Sequence, residues 1–282
     1  MLIDGKAIAF KINQETLDKV KKMNHNWFNP KVAVVLIGNR PESEVYVRQK
    51  EMMAKKLGFG FELLRFPSKI KEEDLIREIM AAQSRRDTAG IIIQLPLPKQ
   101  FDQQKILSYI LPEADIDCLT EINLGRLLLK DNRLEPPTAG AVMEILRDLN
   151  VDFPGKNVVI IGSGLLLGRP LAVLLMNARA TVTICNSTTK NLTKKCLEAD
   201  IIISGAGKKN LVTAKMVKKG TIVIDAGFSF DKGKVFGDVN VSGLDKKGVL
   251  VTPTPGGVGP ITVAKLFQNA AICAERKMTG NV

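Results

Sequence analysis

Asn157-Val-Val-Ile-Ile-Gly162-Ser-Gly164-Leu-Leu-Leu-Gly168-Arg-Pro170 decides the fold. The unbroken apolar run that opens it reads as a strand covered on both faces. Pro170 stands where proline suits the first turn of a helix. Glycines between such a strand and helix let the backbone approach a pyrophosphate closely, and the helix N-terminus aims free N–H groups at it. Alone the loop is a weak signal, with a plain structural turn as the alternative. The strand before it, the helix after it and a second strand at 181–185 favour dinucleotide binding. The acid that would hold a ribose diol, expected ~20 positions on, is replaced by Asn186-Ser187-Thr188-Thr189-Lys190, a set better suited to a 2′-phosphate.

Outward from this unit, apolar runs alternate with helical patterns along the chain. Strands are expected at 31–37, 59–66, 90–94, 157–161, 181–185, 201–204 and 221–225, and helices most clearly at 42–57, 72–84, 139–149, 169–177 and 261–276. Alternation of this kind builds α/β layers on mainly parallel sheets. A polar, proline-containing segment (DNRLEPPTAG, 131–140) and the turn at Pro154-Gly155 mark the boundary. We therefore expect a first domain over 1–140 and a Rossmann-like doubly wound domain over 141–260, with the helix from about 261 to 282 returning to the first.

The 282 residues are 45% hydrophobic and 25% charged, ordinary for a globular chain and inconsistent with disorder. Ser163, Arg169 and Pro170 interrupt the most apolar stretch, so no membrane span is expected, and MLIDGKAIAF lacks the features of a leader, which implies the cytosol. Four scattered cysteines and a single histidine, His25, exclude a zinc cluster and most Ser-His or Cys-His schemes; proton transfer falls to Lys, Asp, Glu or Tyr. Of the net charge of +12, residues 1–140 carry +3 and 141–282 carry +9, which would steer an anionic cofactor to the C-terminal half. The plainer alternative is that Lys194, Lys195, Lys208, Lys209, Lys218, Lys219, Lys246 and Lys247 are solvated pairs at helix ends and turns. Aromatics at 5% and no recognition motif argue against nucleic acid.

Tyr46 and Lys50 lie four apart on the expected helix 42–57, so phenol and amine share a face; a surface Tyr beside a solvated Lys is the bland alternative. Their place far ahead of the glycine loop excludes a short-chain dehydrogenase. Gln94 ends an apolar run and is followed by Leu-Pro-Leu-Pro98, which places an amide at the carboxyl end of a strand, where ligands collect. Asp115-Ile-Asp117 offers two carboxylates, Asp115 reading as a turn residue and Asp117 as the open question. Thr252-Pro-Thr-Pro-Gly256-Gly257-Val-Gly-Pro260 is rigid, side-chain-poor backbone suited to close ligand approach.

IDGKAIA (3–9), Tyr46-x-x-x-Lys50, QLPLP, DID with INLGRL, GSGLLLGRP, VIDAG, GDV and TPTPGGVGP, in this order, resemble the bifunctional methylenetetrahydrofolate dehydrogenase/cyclohydrolase family nearly end to end. The resemblance implies a folate-binding lobe and an NADP domain, each a three-layer α/β body, with a cleft between them. It implies NADP-dependent oxidation of 5,10-methylenetetrahydrofolate to the methenyl cation, then hydration to 10-formyltetrahydrofolate. Lys50 would transfer the proton with Gln94 as its orienter, Tyr46 would stack on the aminobenzoate ring, and Asp117 would accept from pterin N–H groups. Gly256, Gly257 and Pro260 would floor the reacting carbon. Cofactor contacts would fall on Gly162, Ser163, Gly164, Asn186, Ser187, Gly207, Phe228 and Thr262, with NAD as the alternative cofactor and a homodimer formed through the cofactor domain. The chain departs from the family pattern at Cys118 (usually Gly), Pro137 (Cys), Ala139 (Pro), Ser163-Gly164 (Arg-Ser or similar) and Asn186 (often His). A dehydrogenase without hydrolase activity and a non-catalytic folate or nucleotide binder are the competing readings.

Overall fold

A computed structural model of the chain describes residues 1–131, 133–231 and 234–280. The chain forms two compact units: one holds Met1–Phe10, Leu127–Asp131 and Pro136–Lys265, the other Lys11–Arg126, 133–135 and 266–280. Two helices, α1 (Gly5–His25) and α9 (Val258–Thr279), begin in the former unit and continue in the latter. Asp4 caps α1 by accepting from the N–H groups of Lys6 and Ala7 at 3.0 and 3.2 Å.

The unit of Lys11–Arg126 is built on a three-stranded parallel sheet. Its strands are β1 (Lys31–Ile37), β2 (Gly60–Phe66) and β3 (Thr88–Ile93), in the order β2-β1-β3. Central β1 is buried from Val32 onward and β3 throughout, as continuous apolar runs require, while β2 is an edge strand buried only in part. The connecting helices are α2 (Pro41–Lys56) and α3 (Glu72–Gln83). Gly58, at φ 80°, closes α2: its N–H and that of Phe59 return to Lys55 and Ala54 carbonyls. Short helices α4 (Gln103–Ser108) and α5 (Glu121–Leu128) follow β3. Near the end of α9, Lys277 Nζ donates to the carbonyls of Gln83, Arg85 and Thr88 at 2.7–3.1 Å, tying that helix to the turn before β3.

The other unit carries five parallel strands, β4 (Asn157–Ile161), β5 (Thr181–Cys185), β6 (Ile201–Ser204), β7 (Ile222–Asp225) and β10 (Leu250–Val251), in the order β10-β7-β6-β4-β5. Helices α6 (Pro137–Asp148), α7 (Gly168–Asn177) and α8 (Leu192–Glu198) complete the layers, and a small antiparallel pair, β8 (Ser229–Asp231) and β9 (Lys234–Phe236), stands apart from the main sheet. One core cluster packs Val159, Ile161, Cys185, Ile202, Val223 and Val251 from the strands against Cys196, Ala199, Val212 and Leu244. Two of the lysines read as solvated pairs hold specific partners instead: Lys247 Nζ donates to the Ala214 and Val217 carbonyls, and Lys218 Nζ to Asp200. No described helix is long and apolar enough to cross a membrane.

Candidate active site

The main chain continues the β3 ladder for one bond beyond the strand, Gln94 N–H donating to Val35 O at 2.9 Å. That bond fixes where the Gln94 side chain starts. Its Oε1 accepts from Lys50 Nζ at 2.7 Å and its Nε2 donates to Leu95 O at 2.9 Å, so both ends of the amide are engaged at a position only 8% exposed. The Leu95-Pro96 bond that follows is cis.

Burial holds the Lys50 amine below the ordinary lysine range, and the Asp117 carboxylate opposes that shift. Burial likewise pushes Asp117 up to about 6, the Lys50 ammonium pulling it down and the Asp115 charge adding to the rise. Tyr46, one turn before Lys50 on α2, is half-buried, and its phenol is pushed up by burial. The structure thus joins Lys50 to Gln94 by a hydrogen bond and to Asp117 by charge, with Tyr46 adjacent on the helix.

The two acids of Asp115-Ile-Asp117 separate cleanly. Asp115 is 1% exposed and accepts from Leu119 N–H (3.1 Å), Thr120 N–H (2.8 Å) and Asn123 Nδ2 (3.0 Å), which shapes the turn into α5. Next to Asp117, Cys118 is fully buried at φ 56°. This left-handed backbone accounts for the glycine that the resemblance implies there, and Cys118 adopts it with its Sγ 3.8 Å from Leu134 O. Pro137 is the first residue of α6, a position proline tolerates, and Ala139 is fully buried two residues on.

In the unit of the five-stranded sheet, Gly162 has φ 113°, and a Cβ on Gly168 would lie 1.9 Å from Gly162 O. Only glycine fits at these two positions. Leu167, at the N-cap of α7, offers no side-chain cap; Arg169 N–H turns back to Gly164 O at 3.2 Å and Pro170 has no donor, which leaves the Gly168 N–H of the first turn for a pyrophosphate. This cradle fits a nicotinamide dinucleotide. Ser163 O accepts from Arg169 Nε at 3.1 Å, which places a guanidinium beside the loop. Beyond β5, Asn186 Oδ1 accepts from Thr188 N–H and hydroxyl, and Asn186 N–H donates to Thr189 Oγ1; Ser187 is exposed on that turn. Gly207 has φ 65° beyond β6, and Phe228 is 45% exposed beyond β7. Thr262 Oγ1 donates to Val258 O within α9. Gly256, Gly257 and Pro260 belong to this unit, Gly256 at φ 104° and Pro260 inside the first turn of α9.

Asp225 in VIDAG and Asp238 in GDV carry no role that their motifs suggest, yet they stand out in the fold at 3% and 0% exposure. For Asp225, a lone acid closing the buried apolar strand β7 was the available signal.

Family models match both parts of the chain: tetrahydrofolate dehydrogenase/cyclohydrolase, catalytic domain, over residues 3–117, and the NAD(P)-binding domain of the same enzymes over 136–278. The bifunctional protein FolD of Lactococcus lactis subsp. cremoris is 40% identical over 281 residues, covering 99% of each chain. Among solved structures, the bifunctional FolD methylenetetrahydrofolate dehydrogenase/cyclohydrolase of Campylobacter jejuni superposes with a TM-score of 0.94 at 36% identity, covering 98% of this chain and 99% of that one. The Trypanosoma brucei dehydrogenase-cyclohydrolase, solved with NADP and an inhibitor, gives 0.93 at 35%, covering 99% and 98%.

Proposed function

The chain belongs to the tetrahydrofolate dehydrogenase/cyclohydrolase family, and from that premise we propose how its own residues carry the two reactions. It is a bifunctional enzyme that oxidises 5,10-methylenetetrahydrofolate and hydrolyses the methenyl product to 10-formyltetrahydrofolate. The Lys11–Arg126 unit is the folate-binding body, and the unit of the five-stranded sheet binds NAD(P). Bound NADP supplies the hydride acceptor, held by the Gly162–Gly168 turn, the first turn of α7, Ser163, Gly164, Asn186, Ser187, Gly207, Phe228 and Thr262.

Hydride loss leaves a cation spread over N5 and N10, so the first step needs orientation more than acid catalysis. Tyr46 stacks on the aminobenzoate ring, Asp117 accepts from the pterin N–H groups as a carboxylate, and Gly256, Gly257 and Pro260 give the reacting carbon a side-chain-poor floor. In the second step, water adds to the methenyl carbon. The neutral Lys50 amine takes a proton from it and returns one to N5 as the C–N5 bond breaks, while the remaining proton leaves to solvent and the formyl group stays on N10. An ordinary lysine is ammonium at neutral pH and cannot begin this cycle. The observation that carries the reading is the 2.7 Å bond from Lys50 Nζ to Gln94 Oε1, at a position where burial lowers the amine's pKa.

NADP is the preferred cofactor, supported by the absence of any acid in 186–190 and by the Arg169 guanidinium beside Ser163. A homodimer through the cofactor unit is supported by β5, a sheet-edge strand that leaves Ile184 43% exposed. A cytosolic setting agrees with four free cysteines, and the 10-formyl product would serve purine biosynthesis. The test is absorbance at the methenyl and reduced-nicotinamide bands with methylenetetrahydrofolate and NADP or NAD in turn, for wild type and Lys50→Met. The variant should fold and accumulate methenyltetrahydrofolate; hydrolysis at the wild-type rate would remove Lys50 from the mechanism.

A further inference from the structure

Asp225 closes β7, Asp238 accepts from Ser204 at the carboxyl end of β6, and both are buried. Asp225 accepts from the main-chain N–H groups of Gly227, Asp238 and Val239, each at 3.0 Å. Asp238 accepts from the Ser204 hydroxyl and the N–H groups of Ala206 and Lys208, each at 2.7 Å. The six donors are five main-chain amides and one hydroxyl. A salt bridge would neutralise a buried acid without fixing the backbone, whereas amide donors make the carboxylate a template for the main chain around it. The fit leaves no slack: a Cβ on Gly227 would fall 2.1 Å from Asp238 Cγ, and one on Gly237 would fall 1.9 Å from Asp225 Oδ2.

The segments so held are not arbitrary. Gly207 sits between the two amides bound by Asp238, and Phe228 follows the amide of Gly227 bound by Asp225. The two acids also act in series, since Asp225 binds the N–H of Asp238 itself. On an open parallel sheet, ligands occupy the space beyond the strand ends, where these loops begin.

We propose that Asp225 and Asp238 are positioning residues for the nicotinamide cofactor, setting the loops at 205–208 and 226–228 in their binding geometry; this rests on the functional reading above. An amide at either position presents NH2 to a main-chain N–H and forces one loop to move. Hydration of methenyltetrahydrofolate needs no nicotinamide, so each variant carries an internal control.

The full-length wild type, Asp238→Asn and Asp225→Asn are assayed for NADP Kd by calorimetry, for KM and kcat of the dehydrogenase, and for hydrolysis of supplied methenyltetrahydrofolate without cofactor. For each variant, NADP Kd and KM should rise tenfold or more, with kcat falling less and hydrolysis staying within twofold. Parallel loss of both activities in a folded variant, or an unchanged NADP Kd, overturns the proposal. If Asp238→Asn does not fold, Ser204→Ala decides: it keeps the carboxylate, removes one donor and should raise NADP Kd about threefold, an unchanged value overturning the proposal. A wild type that neither binds NADP nor reduces it would instead sink the functional reading on which the proposal rests.

Discussion

Replacing Gln94 by Met should move the titration of Lys50, in a direction and by an amount that the geometry fixes. The amide oxygen accepts from Nζ at 2.7 Å in a site only 8% exposed. A carbonyl acceptor favours the ammonium over the amine, so it partly offsets the burial that already lowers this pKa. Hydrogen bonds to charged groups contribute roughly 1.5–3 kcal/mol, which at about 1.4 kcal/mol per unit corresponds to a further fall of about 1–2 units. The pH profile of kcat/KM for methenyl hydrolysis reads this directly, because its limbs report groups of the free enzyme. Whether Lys50 acts as base or as acid, its limb shifts to lower pH in Gln94→Met. Gln94→Glu supplies an anion and should shift the same limb upward. A limb that stays within about 0.3 unit of wild type in both variants, or moves the same way in both, would refute the assignment. Met also removes the bond from Nε2 to Leu95 O, so the thermal midpoint is measured alongside, with a loss of about 1 kcal/mol expected.

Asp117, which burial pushes up to about 6, must be ionised to accept from pterin donors. Folate affinity should therefore fall as pH drops from 7 to 5, and Asp117→Asn should bind more weakly with a flat profile; calorimetry at four pH values that showed parallel profiles would contradict this. Asp115→Ala strands two main-chain N–H groups and the Asn123 amide, which should cost about 3 kcal/mol or more of stability in denaturant unfolding, while Asp117→Ala should cost far less. Ser163→Arg should widen the NADP over NAD preference in kcat/KM by tightening NADP alone, since a guanidinium there can form paired bonds to a 2′-phosphate; an unchanged ratio would show the phosphate to be read elsewhere.

The strands at 157–161, 181–185 and 201–204 are legible residue by residue, because each is a short apolar run between turn-forming residues. α1 is harder to see. Ile8, Ile12, Val20 and Met23 are buried, but Phe10 is 60% exposed, which blurs the helical period. The strands β8 and β9, three residues each, carry too few positions to show alternation. In the site, Lys50 on a helix beside Tyr46 and Gln94 at a strand end are both visible in the sequence, whereas the meeting of the two is implied only by the family resemblance. Asp115 is readable as a turn residue from the motif, but its cause, the turn from 118 to 123 closing over that acid alone, shows only in the structure. Asp225 and Asp238 are more hidden still. Their partners are chiefly main-chain amides, which every residue but proline possesses and no motif records.

The passage of α9 from one unit into the other bears on how the chain is made. The sheet β2-β1-β3 is fully synthesised by Ile93, yet its unit also uses Leu266 and the turns that follow, with Lys277 fastened to the loop before β3. Between Arg126 and Leu266 lie roughly 140 residues, which a ribosome adding ~5–20 residues per second takes on the order of ten seconds or more to deliver. Throughout that interval the earlier unit exists without its closing helix, while the strands of the other emerge. Apolar surface meant for Phe267, which packs 5.6 Å from the Phe59 ring, is open to water or to chaperones. Vectorial synthesis therefore cannot finish this protein one unit at a time; the body begun first must wait for the chain to come back to it.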